Sequence, residues 1–305
     1  MELSHLKYKK IKKKYLNYLK SQEIMSEPFR DKQGQLMKFY LPISKMINDE
    51  YSKNKKTTVI GLTGGQGTGK STISNILKII LQNGFNLHTV IFSIDDFYKT
   101  LKERRLMSKK ISSLFFIRGV PGTHDTKMLF KCIKNLKNIK FKKTMIPKFD
   151  KSVDDRCLKN KWINVKKKPN IVIFEGWCVG ANPQKKKDLI NPINKLEEKK
   201  DANKVWRKKV NEELHKNYKK IFNLIDKLIF LRVPSFKYVF KWRLLQEKKL
   251  RITSKGKKTM TDIQVKNFIM LYERLTRHML KDLRFKADTV INIDREHRLK
   301  SIKFN

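Results

Sequence analysis

Acidic residues are scarce in this sequence. The 305 residues include 72 lysines and arginines against 28 aspartates and glutamates, which gives a formal net charge of +44. An excess of that size fits either a surface that attracts nucleic acid, anionic membranes or small anions, or a bias in composition. We favour compositional bias, because the lysines are spread over the whole chain and arginine, the better bidentate ligand for phosphate, is comparatively scarce.

Cysteines and long apolar runs are also few. The three cysteines, Cys132, Cys157 and Cys178, form no CxxC pair. A scattered, odd number of cysteines argues against a disulfide framework and predicts a reducing, cytoplasmic location. No apolar run approaches the roughly 18 residues of a membrane-spanning helix. The basic N-terminus has no apolar segment of the secretory type, so we expect neither a signal peptide nor a membrane span.

Five short apolar runs predict the strands of one sheet. They are rich in β-branched residues and apolar on both faces, as parallel strands covered by helices are. The runs are residues 57–63, 88–94, 170–176, 227–233 and 288–294. Helical periodicity separates most of them, and one long helix is expected to begin near Thr261, an N-cap residue. We therefore predict a doubly wound α/β fold with a mostly parallel, five-stranded sheet and helices on both faces.

Residues 1–55 precede this alternation and are predicted to form an N-terminal helical extension. An apolar stripe at spacings of three and four marks its first helix, which is otherwise covered in lysine. The stripe consists of Tyr8, Ile11, Tyr15, Tyr18 and Leu19. We favour a peripheral helix packed on the main domain, and the alternative is a basic helix that lies on a membrane surface.

The segment GGQGTGKS matches the phosphate-binding pattern G-x-x-x-x-G-K-S/T without a mismatch. It follows a predicted strand and precedes a helical stretch, which is the context that this motif requires. Its glycines let backbone N–H groups point at phosphate oxygens beside a helix N-terminus. Lys70 can reach the β- and γ-phosphates, and the Ser71 hydroxyl can ligate Mg²⁺. The predicted nucleotide-binding residues are Gly64, Gly65, Gln66, Gly67, Thr68, Gly69, Lys70, Ser71 and Thr72.

Carboxylates end two of the other predicted strands. Asp95 and Asp96 follow one strand in SIDDFYKT, and Glu175 ends another in IVIFEGW. Parallel strands bring these side chains to the same edge of the sheet as Lys70 and Ser71. We expect Asp95 to accept a proton from an attacking hydroxyl and Glu175 to hold Mg²⁺ through its water shell. For Asp96 we favour a turn or helix-cap role.

The order of these motifs resembles the phosphoribulokinase, uridine kinase and pantothenate kinase superfamily of P-loop kinases. SIDDFYKT, RGVPGTHD, IPKFDKSVDDR, FEGWCVGANP, VPSFKYVFKWRLLQE and YERLTRHML are similar to segments of the D-glycerate 3-kinase family and its bacterial kinase-like relatives. The resemblance covers about residues 35–295. It implies a P-loop kinase domain at 56–305, with acceptor-site insertions at about 100–169 and a lid-like helix at about 236–258.

The resemblance also implies roles for individual residues. Asp95 matches the general base for the acceptor hydroxyl, Tyr98 an aromatic residue near the acceptor, and Glu175 the acid beside the phosphate loop. Arg243 lies on the lid-like helix that closes over the triphosphate and is a further nucleotide-binding candidate. The other implied substrate-binding residues are Arg118, His124, Asp125, Asp150, Lys151 and Arg156.

Two residues depart from the family pattern near the implied acceptor pocket. Val120 stands where the family usually carries asparagine, and Phe149 stands where many relatives carry tyrosine. Each change removes a polar group. The pocket keeps its cations, and Arg118 and Arg156 can bind a carboxylate such as that of glycerate in a bidentate manner.

We therefore expect an ATP- and Mg²⁺-dependent kinase that phosphorylates a hydroxyl of a small acid, converting D-glycerate to 3-phosphoglycerate. One alternative is a related kinase for a nucleoside, pantothenate-like or sugar-like acceptor. Another is a basic nucleic-acid-binding ATPase, suggested by the charge of +44. No nucleic-acid-reading motif is visible, and the second carboxylate site would have no role in that protein. Neither the oligomeric state nor the adenine-contacting residues follow from the sequence.

Overall fold

The structure of the protein, a computed structural model, describes residues 4–23, 29–253 and 259–305. The predicted end of the lid-like helix, near residue 258, lies outside these residues. The helices are α1 (His5–Gln22), α2 (Lys32–Gln35), α3 (Leu41–Asn54), α4 (Lys70–Gly84), α5 (Leu101–Lys110), α6 (Thr126–Lys137), α7 (Lys195–Lys200), α8 (Val205–Glu213), α9 (Lys219–Phe222), α10 (Phe236–Thr253) and α11 (Asp262–Lys286). The π-helical segments are Leu36–Tyr40 and Leu214–Tyr218.

One six-stranded sheet forms the centre of the fold, with strand order β10-β9-β8-β1-β7-β2. The strands are β1 (Thr58–Gly64), β2 (Thr89–Ser93), β3 (Thr144–Ile146), β4 (Phe149–Asp150), β5 (Asp155–Arg156), β6 (Ile163–Val165), β7 (Ile171–Gly176), β8 (Lys227–Arg232), β9 (Thr289–Ile293) and β10 (Leu299–Phe304). All five predicted strands are confirmed, and they pair in parallel.

The predicted strand count of five is one too low for this sheet. The additional strand, β10, pairs antiparallel with β9 at one edge. Only its first residue, Leu299, is buried. An edge strand with one solvated face lacks the continuous apolar run of a covered strand, and this is why the sequence pattern did not predict it. Two small ribbons, β3–β6 and β4–β5, lie in the region predicted as acceptor-site insertions.

The register of the central strands brings their carboxyl ends together. Strand β1 lies between β7 and β8, and both β1 and β7 are buried along their whole length. Leu62 and Ser93 both pair with Glu175, from opposite sides of β7. The residues that follow these positions therefore emerge at one edge of the sheet, where open α/β folds bind their ligands.

The first N-terminal helix packs against the α/β core. Ile11, Tyr15 and Leu19 on α1 are buried, and the helix contacts α4, the helix that follows the phosphate loop. The Tyr15 hydroxyl donates to the backbone oxygen of Lys32 at 2.9 Å. The favoured interpretation as a packed peripheral helix is confirmed, because the apolar stripe faces protein rather than solvent.

Two long helices follow β8. Helix α10 begins at Phe236, within the segment for which the resemblance implies a lid-like helix. Helix α11 begins after Thr261, whose side chain accepts a hydrogen bond from the Gln264 backbone in a reciprocal capping box. The predicted N-cap at Thr261 is confirmed. Among the residues that the structure describes, no helix is long and apolar enough to cross a bilayer.

Candidate active site

The phosphate loop connects the end of β1 to the start of α4. Gly67 and Gly69 have φ angles of +77° and +82°, a backbone region in which glycine is favoured. The Lys70 ammonium group donates to the carbonyl oxygens of Gly64 and Gly65, each at 2.9 Å. Burial lowers the pKa of Lys70, and the nearby carboxylates of Glu175 and Asp95 oppose that shift. The backbone of the phosphate loop thus holds the Lys70 ammonium group in place.

The other side chains of the loop are also constrained. The Thr68 hydroxyl donates to the Gly65 oxygen at 2.9 Å and closes the turn. Both polar atoms of the Gln66 side chain are buried and have no partner within the described residues, which is a feature that a bound ligand would satisfy. Thr72 lies in the first turn of α4, the helix against which the N-terminal helix α1 packs.

Ser71 and Glu175 form a second feature of this edge. The Ser71 hydroxyl donates to Glu175 Oε1 at 3.1 Å, and the Glu175 side chain is nearly buried. Burial raises the pKa of Glu175, while Lys70 lowers it and Asp95 adds to the rise. A hydroxyl and a carboxylate beside a phosphate loop are the oxygen ligands that Mg²⁺ uses together with substrate phosphates. The residues present therefore fit a magnesium ion.

Asp95 lies in a short 3₁₀ turn directly after β2. The Tyr98 hydroxyl donates to its Oδ1 atom at 2.8 Å, and the Lys151 ammonium group donates to its Oδ2 atom at 2.8 Å. Burial alone raises the pKa of Asp95, but Lys151 and Tyr98 lower it to about 2. Asp95 is therefore ionised at neutral pH, as expected for a carboxylate surrounded by cations.

The neighbouring Asp96 has different contacts. Its carboxylate accepts from the Ser93 backbone N–H at 3.0 Å, while the Ser93 hydroxyl caps the same turn. Lys148 donates to its Oδ1 atom at 3.1 Å. The preferred cap role of Asp96 is confirmed, and Asp96 fixes the turn that presents Asp95.

His124 and Tyr98 form a buried aromatic support behind Asp95. Their rings stack with centroids 4.5 Å apart, and His124 has no exposed surface. The Tyr218 hydroxyl lies 2.6 Å from His124 Nδ1. Burial lowers the pKa of His124 to about 3, so the imidazole is neutral at physiological pH. Its Nε2 atom has no partner within the described part of the chain.

The two predicted acceptor arginines already contact protein carboxylates. Arg118 pairs with Asp154, and its guanidinium carbon lies 5.4 Å from the centroid of the Phe149 ring. The Arg156 guanidinium group donates to the backbone oxygen of Tyr98 at 2.9 Å and lies 3.5 Å from the Asp125 carboxylate. These contacts hold both guanidinium groups in place, and that of Arg156 contacts Tyr98.

Two predicted substrate-binding aspartates have local contacts. Asp125 caps α6 by accepting from the Met128 N–H at 3.0 Å. Asp150 accepts from the Ser152 backbone at 2.8 Å and from the Ser152 hydroxyl at 2.5 Å. Both carboxylates therefore shape the backbone of the pocket, and Asp125 also holds Arg156.

Arg243 lies on α10, beside the phosphate loop. Its guanidinium group pairs with Glu247 at 2.7 Å and lies 5.8 Å from the centroid of the Phe268 ring. A Cβ atom on Gly67 would meet the Arg243 backbone nitrogen at 3.3 Å. Helix α10 thus contacts the phosphate loop at the backbone of Arg243.

Several residues around the site were not predicted. Arg104 is fully buried and donates to the Asp154 backbone oxygen at 2.6 Å. Trp177 donates to the Gly119 oxygen at 2.8 Å, and Tyr272 to the Arg118 oxygen at 3.1 Å. Asp154 lies inside the quoted motif IPKFDKSVDDR and could have been inferred from it. Trp177 and Tyr272 likewise lie inside the quoted motifs FEGWCVGANP and YERLTRHML, and Arg104 alone lies outside every quoted motif.

The phosphate loop, the buried carboxylates and the parallel sheet together define the class of this protein. It is a P-loop kinase, which is an ATP-dependent phosphotransferase. Residues 59–187 match the model of the Phosphoribulokinase / Uridine kinase family. The chain belongs to that family.

Individual relatives support the assignment. The chain is 32% identical over 238 residues to the Schizosaccharomyces pombe protein named uncharacterized kinase mug58, which covers 75% of this chain and 83% of that protein. It is 25% identical over 256 residues to the chloroplastic D-glycerate 3-kinase of Arabidopsis thaliana, covering 78% of this chain and 53% of the relative. The alignment thus spans about half of that relative's length.

A solved structure has the same fold. D-glycerate 3-kinase from Cryptococcus neoformans var. grubii superposes with a TM-score of 0.75 and 22% sequence identity. The match covers 87% of this chain and 99% of that chain. At this identity the comparison establishes the shared fold and no more.

Proposed function

We propose that this kinase transfers the γ-phosphoryl group of ATP to a hydroxyl of a small carboxylic acid, and that D-glycerate is converted to 3-phosphoglycerate. The observation that carries the proposal is the ionised Asp95, held by Tyr98 and Lys151 at the sheet edge that carries Lys70. The similarity to the Arabidopsis D-glycerate 3-kinase supports the choice of acceptor.

On the nucleotide side, the proposed roles follow from the loop. The N–H groups of residues 64–69 and the N-terminus of α4 bind the phosphates, and Lys70 contacts the β- and γ-phosphates. Thr72 adds a hydroxyl contact. Ser71 and Glu175 would hold Mg²⁺, which when bound neutralises negative charge on the phosphates. Arg243 on α10 adds a cation near the transferring phosphoryl group.

On the acceptor side, Asp95 orients the acceptor hydroxyl and accepts its proton. The new bond forms between the acceptor oxygen and the γ-phosphorus, while the bond to the β–γ bridging oxygen breaks and leaves ADP. Phosphoryl transfer relies chiefly on positioning and electrostatics, so a weakly basic carboxylate is sufficient. The walls of the pocket are Tyr98, Arg118, Asp125, Asp150, Lys151 and Arg156, and the buried His124 ring supports Tyr98 from behind.

We also propose a reducing compartment, the cytoplasm, as the location of the enzyme. Cys132, Cys157 and Cys178 are all free thiols, and none forms a disulfide. Reduced cysteines are the usual state in that compartment.

Coupled measurement of ADP release tests the acceptor. The panel contains D-glycerate, L-glycerate, glycerol, pantothenate, uridine and a sugar, each against the acceptor-free ATPase rate. We expect D-glycerate to stimulate ADP release well above that rate. Stimulation by another acceptor together with none by D-glycerate would replace the proposed substrate and leave the kinase class intact.

A further inference from the structure

Lys151 differs from the other cations predicted at the acceptor pocket. Arg118 and Arg156 are mostly buried, with 26% and 14% of their side chains exposed, and carboxylates other than Asp95 hold them. The Lys151 side chain is 62% exposed and contacts Asp95 itself at 2.8 Å. Of these three cations, it alone combines freedom to move with direct contact to the proposed base.

Both oxygen atoms of Asp95 have a partner. Tyr98 donates to Oδ1 and Lys151 to Oδ2. Tyr98 is 3% exposed, stacked on His124, and 5.1 Å from the Phe149 ring centroid, so its hydroxyl is fixed in place. An acceptor hydroxyl that approaches Asp95 Oδ2 therefore competes with the Lys151 ammonium group for that oxygen.

The backbone that carries Lys151 is anchored. It lies in the turn between β4 and β5, and three contacts hold this hairpin, one of them at Asp154 in the turn itself. Buried Arg104 donates to the Asp154 oxygen at 2.6 Å, the Leu101 N–H to Asp155 at 3.2 Å, and Arg156 to Tyr98 at 2.9 Å. Movement of Lys151 is thus confined to its flexible side chain, whose four-carbon stem allows the ammonium group to reach a new partner nearby.

We propose that Lys151 exchanges partners in each reaction cycle: it pairs with Asp95 in the free enzyme and with the acceptor's carboxylate once the acceptor is bound. This inference rests on the proposed function and specifies its acceptor class, a small hydroxylated carboxylic acid. The acceptor carboxylate draws the ammonium group away and leaves Asp95 Oδ2 to the acceptor hydroxyl. A neutral polyol offers Lys151 no competing charge, so Asp95 stays blocked.

The electrostatics of Asp95 favour such an exchange. Burial raises its pKa and Lys151 makes the largest opposing contribution. Departure of Lys151 therefore makes Asp95 a stronger base at the moment when the acceptor hydroxyl arrives. With no acceptor bound, the blocked carboxylate cannot activate water, which limits wasteful hydrolysis of ATP.

Replacing the lysine tests the exchange in the full-length enzyme. The variants are Lys151→Met, Lys151→Arg and, as a matched control, Lys159→Met, which removes an exposed lysine shortly after the same hairpin. For each we measure kcat and KM with two acid and neutral pairs, D-glycerate with glycerol and pantothenate with pantothenol. The acceptor-free ATPase rate is measured in parallel.

We expect wild type and Lys159→Met to prefer the acid of the productive pair. Lys151→Met should lower kcat/KM for that acid by roughly 10- to 100-fold, the range for losing a charged hydrogen bond, with no loss for the neutral partner. The ATPase rate should rise, and Lys151→Arg should restore part of the acid preference.

The outcomes separate this inference from the proposed function. Turnover of D-glycerate with an acid-to-neutral ratio unchanged in Lys151→Met, or equal losses for both partners, would overturn the exchange alone. Preference for pantothenate over pantothenol, lost in Lys151→Met, would support the exchange and reject glycerate as the substrate. Turnover of neutral acceptors only, or of no acceptor in the panel, would overturn both.

Discussion

At the residue scale, the adjacent aspartates after β2 divide two tasks. Asp96 has a structural task, because its carboxylate accepts a hydrogen bond from the Ser93 backbone N–H and pairs with Lys148. Asp95 faces the pocket and is held by side chains, those of Tyr98 and Lys151. The backbone contact of Asp96 sets the direction of Asp95, so the turn presents one ionised carboxylate toward the proposed acceptor site.

Asp95→Asn tests the proposed base. The amide keeps the shape of the side chain and can still accept from Tyr98, but it cannot take a proton from the acceptor. We expect kcat to fall by roughly 10² or more, in the range of general-base catalysis, with ATP affinity unchanged when measured by calorimetry. Turnover close to that of wild type would remove the role of Asp95.

His124 predicts a pH dependence of stability. Its pKa lies near 3 in the fold, against 6.5 ordinarily, because burial disfavours the charged ring. The unfolded chain therefore binds a proton below pH 6.5 that the folded chain does not bind until about pH 3. As the pH falls from 6.5 toward 3, His124 should therefore lower the free energy of unfolding by up to about 1.4 kcal/mol per pH unit.

Two measurements check the His124 prediction. The Cε1 proton signal of His124 should not titrate between pH 8 and pH 5. The free energy of unfolding, measured by urea denaturation, should fall more steeply for wild type than for His124→Gln as the pH is lowered from 8 to 5. A His124 signal with a midpoint near pH 6.5 would show that the ring is not buried as described.

At the element scale, α10 packs on the phosphate loop at two points. A Cβ atom on Gly65 would come within 2.7 Å of a Val239 methyl group, and one on Gly67 within 2.9 Å of Trp242 Cβ. The phosphate loop and α10 therefore pack closely, and the conformation of the loop depends on the position of the helix.

Gly65→Ala should disturb this contact and raise the KM for ATP roughly tenfold, because overpacking forces the loop or the helix to shift. Val239→Ala removes the methyl groups that the new Cβ would meet, so the double variant should recover most of the loss. Double-variant kinetics that are merely additive would mean that Gly65 acts through the nucleotide and not through α10.

Predictability from sequence also differs between elements. The strand pattern of β1, β2 and β7 and the phosphate loop are local signals, and they placed Lys70, Asp95 and Glu175 at one edge. The contact between Arg104 and Asp154 joins residues 50 positions apart, and nothing in either segment marks the partner. Strand β10 was missed because its outward face is polar. Contacts between distant residues of the insertions are thus the structural features that sequence patterns could not predict.

At the scale of the whole molecule, the few acidic residues are concentrated in specific pairs. Glu197 is fully buried and holds Arg274 at 2.6 Å, and Asp201 is buried with Arg207 at 2.8 Å. The surplus of basic side chains is left largely to the surface. A net charge of +44 then gives the molecule a long-range attraction for anions, whatever the origin of the lysines.

The dependence of rate on salt measures that attraction. Raising NaCl from about 20 mM to about 200 mM shortens the screening length from roughly 20 Å to below 10 Å. We expect kcat/KM for ATP to fall while kcat stays constant, because steering acts on association rather than on chemistry. Equal losses in kcat would instead indicate that salt disrupts ion pairs inside the site, such as that between Lys151 and Asp95.

The central claim, phosphoryl transfer to a hydroxyl of glycerate, is tested most directly by phosphorus NMR of the reaction products. Wild-type enzyme, ATP, Mg²⁺ and D-glycerate should yield ADP and 3-phosphoglycerate in equal amounts, and Asp95→Asn should yield little of either. ATP consumption that gives only inorganic phosphate, with D-glycerate unchanged, would contradict the account.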